Sequence, residues 1–207
     1  MFVTLEGTAG TGKTTLLEAL GPELAERGHD VTLVREFSAT ALGDAFEEVV
    51  ETGDRETFDR RALSLTLESI ADDIRKVETE VVPALRDGDV VVSERFIDRA
   101  LVYAIPLVEN QYGERDRAID LLDDVEALLP VRPDLRVFLT LDRETRRARY
   151  RVDRPELFDS EADIDRIQDR QARYRERVVS RENCVTFEND GSVAEAVQEL
   201  ADRIETV

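Results

Sequence analysis

Short apolar runs alternate with longer amphipathic stretches along the chain. "FVTL" at 2–5 predicts a buried strand, and a helix is predicted over 13–26, stopped by Gly28. "DVTLVRE" at 30–36 predicts a second strand, followed by a helix near 43–52 and a long amphipathic helix over 58–86. "GDVVVSERF" at 88–96 predicts a third strand. The stretch 116–129 predicts a helix ended by "PVRP". "DLRVFLTL" at 134–141 is the fourth expected strand. An arginine-rich helix over 143–151, a polar loop over 152–163 and a helix over 164–179 follow. "CVTF" at 184–187 and a closing helix over 192–204 complete the series. Five strands separated by helices predict an α/β fold, a parallel sheet covered on both faces with right-handed crossovers. No repeat, low-complexity segment or flexible linker divides residues 1–207, so one domain is expected, with a short mobile lid at roughly 150–163.

The composition narrows the class. Hydrophobic residues make up 42%, enough for a full core. No apolar run approaches the roughly 20 residues of a membrane span. The opening has no basic n-region or h-region, so no signal peptide is expected. Cys184 is the single cysteine; it has no internal disulfide partner, is expected as a buried strand thiol, and fits a reducing cytoplasm. Asp plus Glu number 47 against 28 Lys plus Arg, a formal charge of −19, and the lysines are Lys13 and Lys76 alone. Such a surface repels nucleic acid and anionic lipid, so neither is an expected partner. It also repels itself unless salt screens it; at about 1 M salt the Debye length is roughly 3 Å. The composition resembles that of proteins from salt-loving organisms.

The candidate chemistry lies between the first strand and helix. A glycine-rich stretch there serves as a tight turn or a phosphate cradle. "GTAGTGKT" fits G-x-x-x-x-G-K-[ST], with Gly7, Gly12, Lys13 and Thr14 at the fixed positions. Strand before and helix after supply the context that a cradle needs. Backbone N–H groups from Gly7, Thr8, Ala9, Gly10, Thr11, Gly12 and Lys13 to Thr15 would surround phosphate oxygens, aided by the positive helix end. Lys13, expected to face solvent without ligand, would bridge the β- and γ-phosphates, and the Thr14 hydroxyl would ligate Mg²⁺. A nucleoside triphosphate, ATP, is the expected ligand. No N-K-x-D stretch is present to read guanine, and the third strand ends in "SERF" rather than in the acidic follow-on of a motor or switch ATPase.

Beyond the loop, the chain resembles the thymidylate kinase family over nearly its whole length. "EGTAGTGKTT" resembles that family's opening, and "REFSATALG" resembles "REPGGTPIG", matching at Arg35, Glu36, Thr40 and Gly43. "PALRDGDVVVSERFIDRALVY", "RPDLRVFLTLDRETRRAR", "DIDRIQDRQARYRERV" and "VTFENDGSVAEAV" follow in the family's order. The resemblance implies a P-loop kinase fold that moves the ATP γ-phosphate to a pyrimidine deoxynucleoside monophosphate resembling dTMP, and a homodimer. In such an enzyme Arg95 is expected to bridge the donor and acceptor phosphates or to steady the attacking hydroxyl, and Glu94 to hold the metal through water. Arg35, Arg95 and Arg99, at or just past strand ends, together with Glu36 and Tyr103, are the candidates for lining the acceptor site. By position, Arg151 and Arg154 lie nearest the lid and are candidate cations for the transferred phosphate.

The chain departs from that pattern on the acceptor side. Ala9 stands where the family has an acid, and Phe37, Ser38 and Ala39 replace its Pro-Gly-Gly. Spacing from Pro83 puts Asp72 and Asp73 where an aspartate-arginine pair is expected, so the arginine that holds the acceptor phosphate is absent. Arg99, Ala100 and Ala104 replace serines and a glutamine. Deoxynucleoside kinases share the loop, a Glu-Arg after the third strand and a glutamate after the second that acts as general base. Glu94, Arg95 and Glu36 match those features. A nucleoside kinase with Glu36 as base is therefore an alternative, and a non-catalytic nucleotide sensor that has lost its acceptor site is another.

Overall fold

In β1 (Phe2–Glu6), Val3 and Leu5 face one side of the sheet and Phe2, Thr4 and Glu6 the other, as the two-residue period of a strand requires. The computed structural model describes residues 1–52, 55–153, 161–181 and 183–207. After β1 come α1 (Lys13–Glu26), β2 (Val31–Val34), α2 (Ala41–Thr52), α3 (Arg55–Arg60) and α4 (Ala62–Lys76). A π-helical turn (Val77–Val81) leads to α5 (Val82–Asp87), β3 (Val90–Glu94), α6 (Arg99–Tyr103), α7 (Ile105–Tyr112) and α8 (Arg115–Leu128). β4 (Leu135–Thr140), α9 (Arg143–Asp153), α10 (Glu161–Val179), β5 (Cys184–Glu188) and α11 (Val193–Glu205) complete the chain.

All five strands are parallel, in the order β2-β3-β1-β4-β5, as the alternating pattern predicts. One face carries α1 and α11, whose Leu16, Leu20, Leu24, Val197 and Leu200 pack on Val3, Leu5 and Val137. On the other face, Ile70, Val77, Val81, Ile105 and Leu122 cover Phe2 and Val91, and Tyr174 and Val178 of α10 cover Phe138. Since every strand runs the same way, the segments that follow them gather at one edge of the sheet, where open α/β sheets bind ligands.

Three local expectations are corrected. The helix expected over 58–86 is broken at Arg61 and again at the π-helical turn. Pro83 has no N–H to give the carbonyl four residues back, so the ladder widens just ahead of it. After β3, α6 and α7 form where no element was expected. They are 5 and 8 residues long, too short for a helical period to declare itself, and Ile105 and Val108 become helical by being buried in the core. Cys184 opens β5 half-buried rather than fully buried, and burial pushes its thiol up to about 11. Among the described residues no helix is long and apolar enough to cross a membrane.

Candidate active site

The loop joining β1 to α1 curls through three glycines with φ of 141° at Gly7, 77° at Gly10 and 86° at Gly12. Side chains press on it closely. A Cβ at Gly10 would lie 2.6 Å from the Tyr150 ring, and one at Gly12 would lie 2.6 Å from the Asn189 amide. Thr11 folds back on the loop, its hydroxyl donating to the Thr8 carbonyl at 2.9 Å. Three side chains from the other half of the chain then fix the loop from outside. Arg146 donates to the Ala9 carbonyl at 2.5 Å, Asn189 donates to the Thr11 carbonyl at 2.7 Å, and Arg149 donates to the Asn189 carbonyl at 2.6 Å. Of the arginine run on α9, Arg146 is fully buried, so it serves the loop rather than the surface. Among the loop residues, Ala9, Gly10, Thr14 and Thr15 are exposed, and Thr8 and Thr11 are buried.

Lys13 does not face solvent. It is 5% exposed, because its chain bends back so that Nζ donates to the Thr8 carbonyl at 3.3 Å and lies 3.9 Å from a Glu94 oxygen. Burial first, and the nearby Arg95 second, bring its ammonium down to about 8. The Thr14 hydroxyl donates to the same Glu94 oxygen at 2.9 Å. The loop, α1 and β3 thus meet at one carboxylate.

The next cation is also paired. Arg95 Nε lies 2.8 Å from Glu36 Oε1, its NH2 group donates to the Tyr103 hydroxyl at 3.2 Å, and its guanidinium stacks 5.0 Å from the Tyr103 ring centroid. Burial alone would raise the Glu36 carboxyl, but Arg95, Lys13, Arg99 and Lys76 outweigh it and hold Glu36 at about 2.

The departures on the acceptor side turn out to be one structure. Arg99 reaches back to α4, with NH2 2.7 Å from Asp72 Oδ2 and Nε 3.0 Å from Asp73 Oδ2. It also donates to the Glu36 carbonyl at 2.8 Å, and the rings of Phe37 and Phe46 lie 5.2 and 5.4 Å from its guanidinium. Asp73, which stands where the family's arginine is expected, is fully buried and pairs with Arg99 and Lys76. Arg99, expected to line the acceptor site, is spent on the two aspartates. Not every candidate joins this cluster. Arg35 is exposed and pairs with Glu18 of α1 at 3.4 Å. Arg151 lies near the end of α9, its side chain outside the described residues, and Arg154 lies outside them altogether.

Beneath the cluster, Glu6 at the end of β1 accepts a short hydrogen bond from the Tyr174 hydroxyl of α10. Burial and Asp98 push Glu6 up to about 7, against the pull of Tyr174, Arg95 and Lys76. The native chain therefore holds more protons than the unfolded chain between 4.5 and about 7, and this group's stabilising contribution falls as pH rises through that window. Glu6→Gln is expected to raise the melting midpoint at about pH 8 by a few degrees, since its amide oxygen still accepts from Tyr174. An unchanged midpoint would mean that the carboxylate carries its charge there at no cost.

The glycine loop, two nearly buried cations and their paired carboxylates thus meet at one edge of the sheet. The family model for thymidylate kinase matches residues 5–200. The chain belongs to the thymidylate kinase family. Membership makes it a nucleotide kinase, a phosphotransferase that takes phosphate from ATP. It is 32% identical over 183 residues to the thymidylate kinase of an Exiguobacterium species, covering 86% of this chain and 77% of that one. It is 34% identical to the thymidylate kinase of Clavibacter sepedonicus over the same shares of each chain, 86% and 77%. A probable thymidylate kinase of Halorubrum lacusprofundi is 31% identical, covering 78% of this chain and 76% of that one. The crystal structure of thymidylate kinase from Ehrlichia chaffeensis shares the fold, with a TM-score of 0.66 and 22% identity over 99% of this chain and 98% of that one.

Within this thymidylate kinase family site, a hydroxyl and a carboxylate converge at Thr14 and Glu94. Hard oxygen donors of this kind suit Mg²⁺, which keeps most of its shell as water and phosphate oxygen and takes only one or two protein carboxylates. A cluster of three or more metal-binding side chains is not needed for it, and among the described residues there is none. Asn189, Tyr174 and Lys76 have no role read from sequence, and Arg146 and Arg149 belong to an arginine run expected to be mostly solvated or paired with acids. Their signal is weak, because each acts on a segment far away in the chain.

Proposed function

We propose that this chain transfers the ATP γ-phosphate to a pyrimidine deoxynucleoside monophosphate, with dTMP as the acceptor. The observation that carries the reading is the state of Glu36. A carboxyl held at about 2 by Arg95 is a counter-ion, whereas a general base works best with a pKa near the operating pH. A monophosphate is already ionised and needs no base. Arg99 and Lys76 together offset Asp72 and Asp73, which removes the charge that would have repelled a dianionic acceptor.

In this reading the N–H groups of the glycine loop and Lys13 hold the triphosphate. Lys13 and Arg95, both nearly buried, neutralise the charge spread over the transferring group, and Arg95 spans donor and acceptor. Thr14 and Glu94 would hold Mg²⁺, which would supply further neutralisation of the triphosphate charge. Tyr103, stacked on Arg95, lines the acceptor side, and Arg99 supports it through the Glu36 carbonyl. Arg151 and Arg154 are proposed as lid cations and Arg35 as an outer acceptor contact. A homodimer in a salty cytoplasm fits the family resemblance and the charge of −19.

A panel of nucleosides and monophosphates with ATP tests the reading. Phosphorylation of dTMP is expected, and Glu36→Gln is expected to keep kcat within about tenfold. Activity on nucleosides alone, with a loss of about two to four orders of magnitude in Glu36→Gln, would reinstate Glu36 as a base. No product from any acceptor would leave a nucleotide sensor.

A further inference from the structure

Lys76 is fully buried at the end of α4, and its ammonium meets three backbone carbonyls. They belong to Glu36 at 3.1 Å, Glu94 at 3.3 Å and Arg95 at 3.2 Å. Each of these three residues sends its side chain into the site. Glu36 pairs with Arg95, and Glu94 holds Thr14 and Lys13. Two of the carbonyls lie at the end of β3 and the third follows β2, so one side chain ties two separate segments together.

The backbone at this point is unusual. Arg95 has φ of 64°, a conformation that L residues adopt rarely and that persists only when its surroundings enforce it. Its N–H donates to the Leu5 carbonyl at 3.0 Å, and its carbonyl accepts from Lys76 and from the Ser93 hydroxyl at 2.9 Å. The residue type suits the task. A compact ammonium carries three hydrogens on one atom and serves three converging carbonyls, whereas a planar guanidinium spreads its donors in a fork. In a chain whose only other lysine is Lys13, the choice of lysine here follows from that geometry.

We propose that Lys76 is a positioning residue for phosphoryl transfer, setting the backbone that aims Glu36, Glu94 and Arg95. The proposal rests on the kinase reading above. It competes with a simpler role, since Lys76 Nζ also lies 3.4 Å from Asp73 Oδ1 and so serves as a counter-ion to a buried carboxylate. Two variants separate the roles. Lys76→Met/Asp73→Asn removes both charges and leaves the amide facing Arg99. Lys76→Arg keeps the charge beside Asp73 but changes the donor geometry.

If Lys76 positions the site, both variants lose at least about 100-fold in kcat, the scale of a 1 Å misplacement. ATP affinity measured by calorimetry falls less than kcat does, because Lys76 reaches the loop only through Glu94. The double variant, freed of its buried charge pair, melts closer to the wild type than Lys76→Met does. Recovery of kcat in either variant overturns the proposal. A ligand-free crystal structure of the double variant reads the same point without turnover. Arg95 leaving its positive φ or its contact with Glu36 supports positioning, and an unmoved Arg95 overturns it. A wild-type protein inactive on every acceptor defeats the kinase reading alone, and the crystal structure still decides the role of Lys76.

Discussion

Replacing Lys13 by alanine is expected to lower kcat/KM by about 10³ while the ligand-free protein melts no lower than the wild type. The activity loss follows from removing a buried cation at the transferring phosphate, where one well-placed donor is worth about two to three orders of magnitude. The stability half follows from the pKa. The Lys13 ammonium falls from 10.5 in the unfolded chain to about 8 in the native one, chiefly by burial and then by Arg95. Below about 8 both states are protonated and the native state bears the full cost of a buried charge. Between about 8 and 10.5 the unfolded chain binds more protons, so the cost fades as pH rises. Alanine removes that cost along with the bonds to Thr8 and Glu94. Steady-state kinetics and thermal unfolding at neutral pH check both halves. Near-wild-type turnover would defeat the assignment of the glycine loop, and a large drop in midpoint would mean that the lysine serves the fold.

Arg99→Ala is expected to cost about 3–5 kcal/mol of stability, the usual loss when one partner of a buried ion pair is removed. Asp72 and Asp73 are both fully buried and Arg99 meets each of them within 3.0 Å, so the variant leaves Asp72 without a cation and Asp73 with one fewer. Lys76 then remains as the cation paired with Asp73, at 3.4 Å. Asp73 is already raised by burial, against the pull of Arg99 and Lys76. Losing Arg99 raises it further, so the variant binds extra protons when folded and its deficit shrinks as pH falls. Adding Asp72→Asn to Arg99→Ala is expected to recover part of the loss. Urea unfolding at about pH 8 and pH 5 measures all three effects. A deficit below about 1 kcal/mol, or one independent of pH, would mean that the pair is not what neutralises this side of the site.

How much of this was legible in the sequence differs between the two sides of the site. The donor side was legible because its signal is local. Gly7, Gly12, Lys13 and Thr14 lie within eight residues, and their strand-loop-helix context is written in the same stretch. The acceptor side was not. Asp73 in place of an arginine and Arg99 in place of a serine read separately as two losses, yet the fold makes them one ion pair across 26 residues of sequence. Lys76 ends a helix whose sequence reads as amphipathic, where a lysine is ordinarily solvated. Its scarcity in an arginine-rich chain was the one clue to its role.

The sequence by itself determined the alternation of strands and helices, the parallel sheet, the phosphate loop and the acidic surface. Each of these depends on residues near one another or on simple counts. Tertiary structure decided which charges meet. Strand order brings the ends of β1, β2 and β3 side by side, and burial there makes every cation find a carboxylate or a carbonyl. A buried charge is costly unless paired, and its partner is chosen by the path of the backbone through space. That path also turned α6 and α7 into helices and drew Arg146 from a charged run onto the carbonyl of Ala9. Local periodicity fixes what a segment becomes, and long-range contact fixes what its charged side chains do.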